Sequence, residues 1–252
     1  MLSTASRRAA ALILVTVALA GCESPPAKKD DAARPSEAVD APAPAATKAS
    51  GPVELVIEDS GPRVGYVHLN LQIPEGPRRL QEELASHRSE LDGKELRLAV
   101  GRKAKPQWVS LYIEELAKVG AASVTIKTDT RRELRDELGF TAQSKARSAA
   151  ACSPVAMILE DRATAVWKLS GGVAGRRPRG MAGPDLAMTG DSIERVAKAC
   201  KAGASLFVAA ASGIEWGLLY DLAASARALQ DVRFEHVVLL GEIPVPGHKV
   251  GL

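Results

Sequence analysis

The stretch LRLAVGRKAKPQWVSLYIEELAKVGAASVTIKT, residues 96–128, decides the fold. Leu96, Leu98 and Val100 alternate with polar or small neighbours, as in a strand. Pro106 stands where a helix opens, and Val109, Ile113, Leu116 and Ala117 line one face of that helix. Gly120 is its natural stop. Val124, Ile126 and Thr128 then alternate again. The same order returns in LFVAAASGIEWGLLYDLAASARALQDVRFEHVVLL, residues 206–240. There Leu206, Val208 and Ala210 form a strand pattern, Trp216, Leu219, Tyr220 and Ala223 stripe a helix, and Val237 and Leu239 close the unit.

Upstream of each unit the pattern repeats as well. Val53, Leu55 and Ile57 predict a strand, and Asp59 to Pro62 supply turn chemistry. Val67, Leu69, Leu71 and Ile73 alternate with Tyr66, His68, Asn70 and Gln72 as a half-buried strand. Pro77 opens a helix striped by Leu80, Leu84 and Leu91. In the second copy the strands are Val155–Leu159 and Ala165–Leu169. Asp191, with Glu194 three residues on, resembles a capping box ahead of a helix carrying Ile193, Val196, Ala197 and Cys200. Each copy therefore reads β-β-α-β-α-β, and a repeat of roughly 100 residues is a domain duplication.

The expected fold class is α+β: two tandem small domains, each a mixed sheet with two helices on one face, following a disordered tether. The expected boundaries are 53–138 for the first domain, which includes a short charged connecting helix from Thr130 to Leu138. A linker over 139–151, the second domain over 152–241 and a tail over 242–252 complete the chain. Each half is long enough for a modest core.

The N-terminus carries a different signal. Arg7 and Arg8 precede an apolar run from Ala9 to Ala20, too short to cross a bilayer as a helix. A basic start, a short apolar stretch and the small residues before Cys22 make residues 1–21 a secretory signal peptide. Leu19-Ala20-Gly21-Cys22 resembles the lipobox of bacterial lipoproteins. That resemblance implies a diacylglyceryl thioether on Cys22, cleavage before it and an acylated new amine. With Glu23 next, it also implies an outer-membrane rather than a cytoplasmic-membrane anchor, facing the periplasm. Acyl chains contribute about 0.8 kcal/mol per buried methylene, so several chains hold firmly where one is marginal. Residues 23–52 contain nine Ala and six Pro with no apolar period. Residues 22–52 are thus the lipidated Cys and a tether, able to reach about 100 Å fully extended or roughly 30 Å as a coil.

Composition excludes several classes. The chain has 252 residues, 46% apolar and 25% charged, which rules out a fully disordered or multi-spanning protein. The net charge is +3. Residues 1–21 hold two Arg and no acid, so 31 basic against 30 acidic residues leave +1 on the mature chain. That gives no footing for nucleic-acid binding. The four His have no metal spacing, and Gly171–Gly175 lacks the Lys-Ser/Thr ending of a phosphate loop. No metal or cofactor is expected.

Three candidate sites remain. Cys152 and Cys200 would lie in an oxidising compartment and could bridge, closing a loop worth about 4 kcal/mol in the chain-entropy view. Two separate buried thiols are the alternative. Arg176, Arg177 and Arg179 cluster in the Gly- and Pro-rich segment 170–190, where they could meet an anionic partner or simply be solvated. Gly190-Asp191-Ser192, with His236 and His248 downstream, is the thin basis for a lipid-anchored hydrolase using Ser192. Asp191 as a helix cap explains the same residues.

The repeated unit resembles the periplasmic domain of the ExbD/TolR proteins. The resemblance is carried by Ala99-Val100, Lys105-Pro106-Gln107-Trp108 and Lys118-Val119-Gly120 in the first copy. The second offers Ala209-Ala210 and Ile214-Glu215-Trp216-Gly217. It implies a soluble domain that dimerises and contacts envelope motor or transport proteins or peptidoglycan, here as an intrachain pseudo-dimer. The family's transmembrane helix with its proton-responsive Asp has no counterpart, and Gly101 and Ala211 or Ser212 stand near the place of the "aD" aspartate. The expected function is a non-enzymatic binding or accessory component of an envelope transport or motor system. A peptidoglycan-binding structural lipoprotein is the other non-enzymatic reading.

Overall fold

The computed structural model describes residues 52–130 and 133–252, which belong to one compact unit, Ala49–Leu252. Cys22, the signal peptide and most of the tether lie outside the described residues. The first half contains β1 (Leu55–Glu58), β2 (Gly61–Val64), β3 (Val67–His68), α1 (Gly76–Ser86), α2 (Arg88–Leu91), β4 (Glu95–Val100), α3 (Pro106–Lys118), β5 (Ser123–Lys127) and β6 (Glu137–Phe140). A 3-10 turn, Gln143–Ala146, follows. The second half contains β7 (Pro154–Ile158), β8 (Thr164–Lys168), β9 (Gly175–Arg177), β10 (Arg179–Gly180), β11 (Gly183–Pro184), α4 (Leu186–Lys198), β12 (Ala204–Ala210), α5 (Trp216–Arg227) and β13 (Phe234–Leu239).

The two sheets share one topology. The first runs β3-β2-β1-β4-β5-β6 and the second β9-β8-β7-β12-β13. In each, an antiparallel hairpin leads into three parallel strands, β1-β4-β5 or β7-β12-β13. Parallel neighbours require crossovers, and two right-handed crossovers in one direction put both helices on the same face. Accordingly α1 packs on α3, and α4 on α5. Registers also match: Leu55 pairs with Leu98 as Ala156 pairs with Val208. The Gly101 N–H donates to Ile57 O at 2.8 Å, and the Ala211 N–H donates to Ile158 O at 2.9 Å. The expected α+β class with two mixed sheets, each with helices on one face, is what the chain adopts.

The halves are fused through α5 and β6. β6 pairs antiparallel with β5, and the Thr141 N–H just beyond it donates to Val237 O of β13 at 2.8 Å. β6 therefore covers the β5 edge, and its continuation meets β13 at a single bridge, Thr141 to Val238. α5 is buried on nearly every side, the mark of a helix enclosed between layers. Its first-turn amides would be orphans. Instead, the N–H groups of Trp216 and Gly217 donate to Ala104 O and Arg102 O of the first half, at 2.9 and 2.7 Å. Trp216 Nε1 donates to Thr128 Oγ1 at 2.8 Å, and Phe140, Trp216 and Tyr220 form a tilted aromatic cluster with centroids 5.5–6.3 Å apart. Arg102 grips the buried Asp221 with two bonds, 2.8 and 3.1 Å.

Several expectations need correction. Residues 133–136 are a turn and bend leading into β6, not part of a helix; Arg131 and Arg132 lie outside the described residues. The Thr130 hydroxyl donates to Leu134 O at 3.0 Å. Residues 139–151 are no linker: they hold the end of β6 and the 3-10 turn, and Phe140, Ala142 and Ala146 are in the core. The strand read over 67–73 stops at His68. Leu69 N–H donates back to Pro62 O, and the chain then folds so tightly that a Cβ on Gly76 would lie 2.2 Å from Asn70 O. α4 starts at Leu186, five residues before Asp191. Its cap is Asp185, whose carboxylate accepts the Met188 N–H at 3.0 Å. The tail after β13 is bound, with Val250 N–H on Leu169 O and the Trp167 indole N–H on His248 O.

Candidate functional site

Ligands of parallel α/β sheets gather at the carboxyl ends of the strands. In the second half those ends are Ile158 and Ala210. Beyond them lies an open cleft of about 440 Å³, lined by Met157, Leu159, Asp161, Arg176, Ser212 and Ile243, among others. It exists because the β7–β8 connection is long. Leu159 to Ala163 arch out, with Arg162 in the left-handed region at φ 64°. Asp161 Oδ1 accepts the Ala163 N–H at 3.1 Å, which closes the turn and aims the second oxygen outward. Arg176, on the edge strand β9, donates to that oxygen. The Ala163 N–H first, and the Arg176 guanidinium after it, hold the Asp161 carboxyl below the usual carboxylate range.

The cleft offers a charge pair at its mouth, one hydroxyl from Ser212 and an apolar wall. Its lining includes no imidazole and no thiol. Such a surface can recognise a ligand by charge and shape.

The three arginines of the 170–190 segment have separate surroundings. Arg176 is paired with Asp161 at the cleft. Arg177 Nε donates to Ser192 Oγ at 2.8 Å, fastening β9 to α4. Arg179 is exposed on the short β10–β11 hairpin. Residues 175–184 are therefore organised as an edge strand and a hairpin rather than one long loop.

Ser192 is 5% exposed and sits inside α4, its hydroxyl also donating to Met188 O at 3.0 Å. Neither His236 nor His248 is among its hydrogen-bond partners; His236 Nδ1 lies 3.2 Å from Thr141 Oγ1 instead. The candidate Ser-His constellation is not brought together among the described residues.

Cys152 and Cys200 are bridged, with Cα atoms 5.2 Å apart. The bond ties Cys152, two residues before β7, to Cys200, two residues past α4, across 48 residues of chain. It clamps the second half at the end opposite the cleft. No helix among the described residues is long and apolar enough to cross a membrane.

Sequence reading missed Glu160, Ser212 and Ile243 as neighbours of Arg176. They come from three connections far apart in the chain, and only the shared strand-end topology could have suggested them. Compared with protein-family models, curated proteins and solved structures, the chain matches none of them.

Proposed function

We propose that this chain is a lipid-anchored, non-enzymatic protein of the bacterial cell envelope, a binding or accessory component of a transport or motor system. The observation that carries this reading is the duplicated β-β-α-β-α-β body. Two copies of a domain resembling one that works as a dimer are here joined in a single chain through α5 and β6. The Cys152–Cys200 bridge supports an oxidising compartment, and the lipobox at Cys22 supplies the anchor. The strand-end cleft with Arg176, Asp161 and Ser212 is the surface we assign to partner recognition. The buried, doubly hydrogen-bonded Ser192 argues against the hydrolase reading.

Two measurements test the proposal. Metabolic labelling with palmitate should mark the wild-type chain and leave Cys22→Ser unmarked; an unlabelled wild type ends the anchor. Crosslinking in native envelopes, with a photoreactive residue at Ser212, should trap a discrete envelope protein or peptidoglycan fragment. Turnover of an ester or amide panel by purified protein would overturn the non-enzymatic reading.

A further inference from the structure

A second cleft, of about 460 Å³, lies where the end of α5, the entry to β13 and the segment before β6 meet. Its lining includes Arg135, Arg227 and Arg233, together with Gln230, Leu229 and Phe234, and no acidic residue. Arg227 ends α5, Arg233 lies in the α5–β13 connection and Arg135 in the segment before β6, so the three come from both halves of the molecule. None of them forms an ion pair among the described residues, whereas Arg63, Arg97, Arg102 and Arg176 each face a carboxylate.

One of the three has an ordinary explanation. Arg227 is the last residue of α5, where a cation suits the helix dipole, and it donates to Phe234 O. That account does not extend to Arg135 or Arg233, which belong to no helix end. Like charges directed into one concavity repel each other, and an anion between them converts the repulsion into attraction. Arginine at every one of the three positions, with no lysine, favours a ligand with several oxygens in a plane or a tripod, because each guanidinium can donate two parallel N–H groups. A carboxylate offers two oxygens, whereas a terminal phosphate group offers three, one for each guanidinium. Leu229 and Val232, both half-buried, form an apolar border suited to the organic part of a phosphate ester.

We propose that this cleft is an oxyanion site that takes a phosphate group. The group could be carried by a soluble phosphate or by a phospholipid headgroup, and the site is independent of the strand-end cleft and of lipidation at Cys22.

The test uses the full chain carrying Cys22→Ser, so that no acyl anchor contributes. Inorganic phosphate is titrated by calorimetry, and vesicles of phosphatidate or of phosphatidylcholine are assayed by co-sedimentation. Binding of phosphate, of phosphatidate vesicles or of both is expected, with phosphatidylcholine bound poorly; the probe that binds identifies the source. Arg135→Gln with Arg233→Gln should weaken binding about tenfold or more, since each charge-assisted bond contributes about 1.5–3 kcal/mol and 1.4 kcal/mol is tenfold. Arg78→Gln with Arg97→Gln removes the same charge elsewhere and should leave binding within about twofold. Failure of both probes, or equal weakening by the two double variants, overturns the proposal.

Discussion

The two halves have one topology and two different surroundings. In the first, β4 keeps the alternation of a sheet wet on one side: Leu98 and Val100 are buried, and Arg97 and Ala99 are exposed. In the second, β12 is buried along its whole length. The turn after β1 is only Asp59-Ser60, whereas the turn after β7 runs from Leu159 to Ala163 and creates a cleft. Ser212 is free to line that cleft. Its counterpart Arg102 turns instead to Asp221 and holds the halves together. Equivalent positions in the two halves thus have different surroundings, Arg102 bound across the seam to Asp221 and Ser212 lining the open cleft.

The largest expected effect breaks the seam. Trp216 is fully buried, contacts Phe140 and Tyr220, and donates to Thr128. Trp216→Ala should cost about 4–5 kcal/mol in urea unfolding. If the halves depend on each other, one cooperative transition moves as a whole. A transition that splits in two, with the first half unmoved, would show that the halves are separately stable domains.

The disulfide is private to the second half. Cys152→Ser with Cys200→Ser should cost about 3–4 kcal/mol. Hydrogen exchange should locate the loss in β7, β8 and α4 first, with β1 and β4 affected only through global unfolding. Equal loss of protection in both sheets at low denaturant would contradict a local clamp.

Much of this arrangement is legible in the sequence, and the exceptions have physical reasons. Residues 96–128 and 206–240 read correctly because both strand and helix periods are clean and Pro106 and Gly120 mark the ends. The cysteine pair was readable from count and context. The alternation over 67–73 misled because a period of two is also what a folded-back loop shows when only Leu69 is needed in the core. Asp185 was hidden as a cap behind Pro184, inside a segment whose Gly content suggested a loop. Residues 139–151 are polar enough to resemble a linker, yet Phe140 packs on Trp216 and Tyr220, and the 3-10 turn with Ala146 is held between α3 and β13. That burial depends on tertiary contact and leaves no local trace. The clustering of Arg135, Arg227 and Arg233 is likewise invisible before folding, since 92 positions separate the first from the second.

A smaller effect sharpens the division of labour at the paired positions. Arg102→Ala removes two charge-assisted bonds from Asp221, which is 1% exposed, and should cost about 2 kcal/mol. Arg102→Lys should recover less than half of it, because an ammonium cannot fork onto both carboxylate oxygens. At the counterpart, Ser212→Ala should change stability by about 0.5 kcal/mol or less, as expected for a side chain facing an open cleft. Equal losses at the two positions would mean that the halves are not specialised in this way.

The smallest effect compares one buried phenol in each half. α3 carries Tyr112 and α5 carries Tyr220, both fully buried. Burial, before any charge, pushes both phenols up from their ordinary value. An unfolded tyrosine ionises near 10, so the stability each phenol contributes is whole below that pH and is lost as the pH rises toward the higher folded value. At pH 11 one such group withdraws about 1.4 kcal/mol. Tyr112→Phe gives up the hydrogen bond to Arg63 O, about 1 kcal/mol at neutral pH. Between pH 9 and 11, however, its stability should fall about 1.4 kcal/mol less than that of the wild type. Tyr220→Phe should flatten the same slope, and the double variant should do so additively if the two phenols titrate independently. A slope unchanged by either substitution would mean that neither phenol stays protonated in the folded chain at alkaline pH, and that water reaches both.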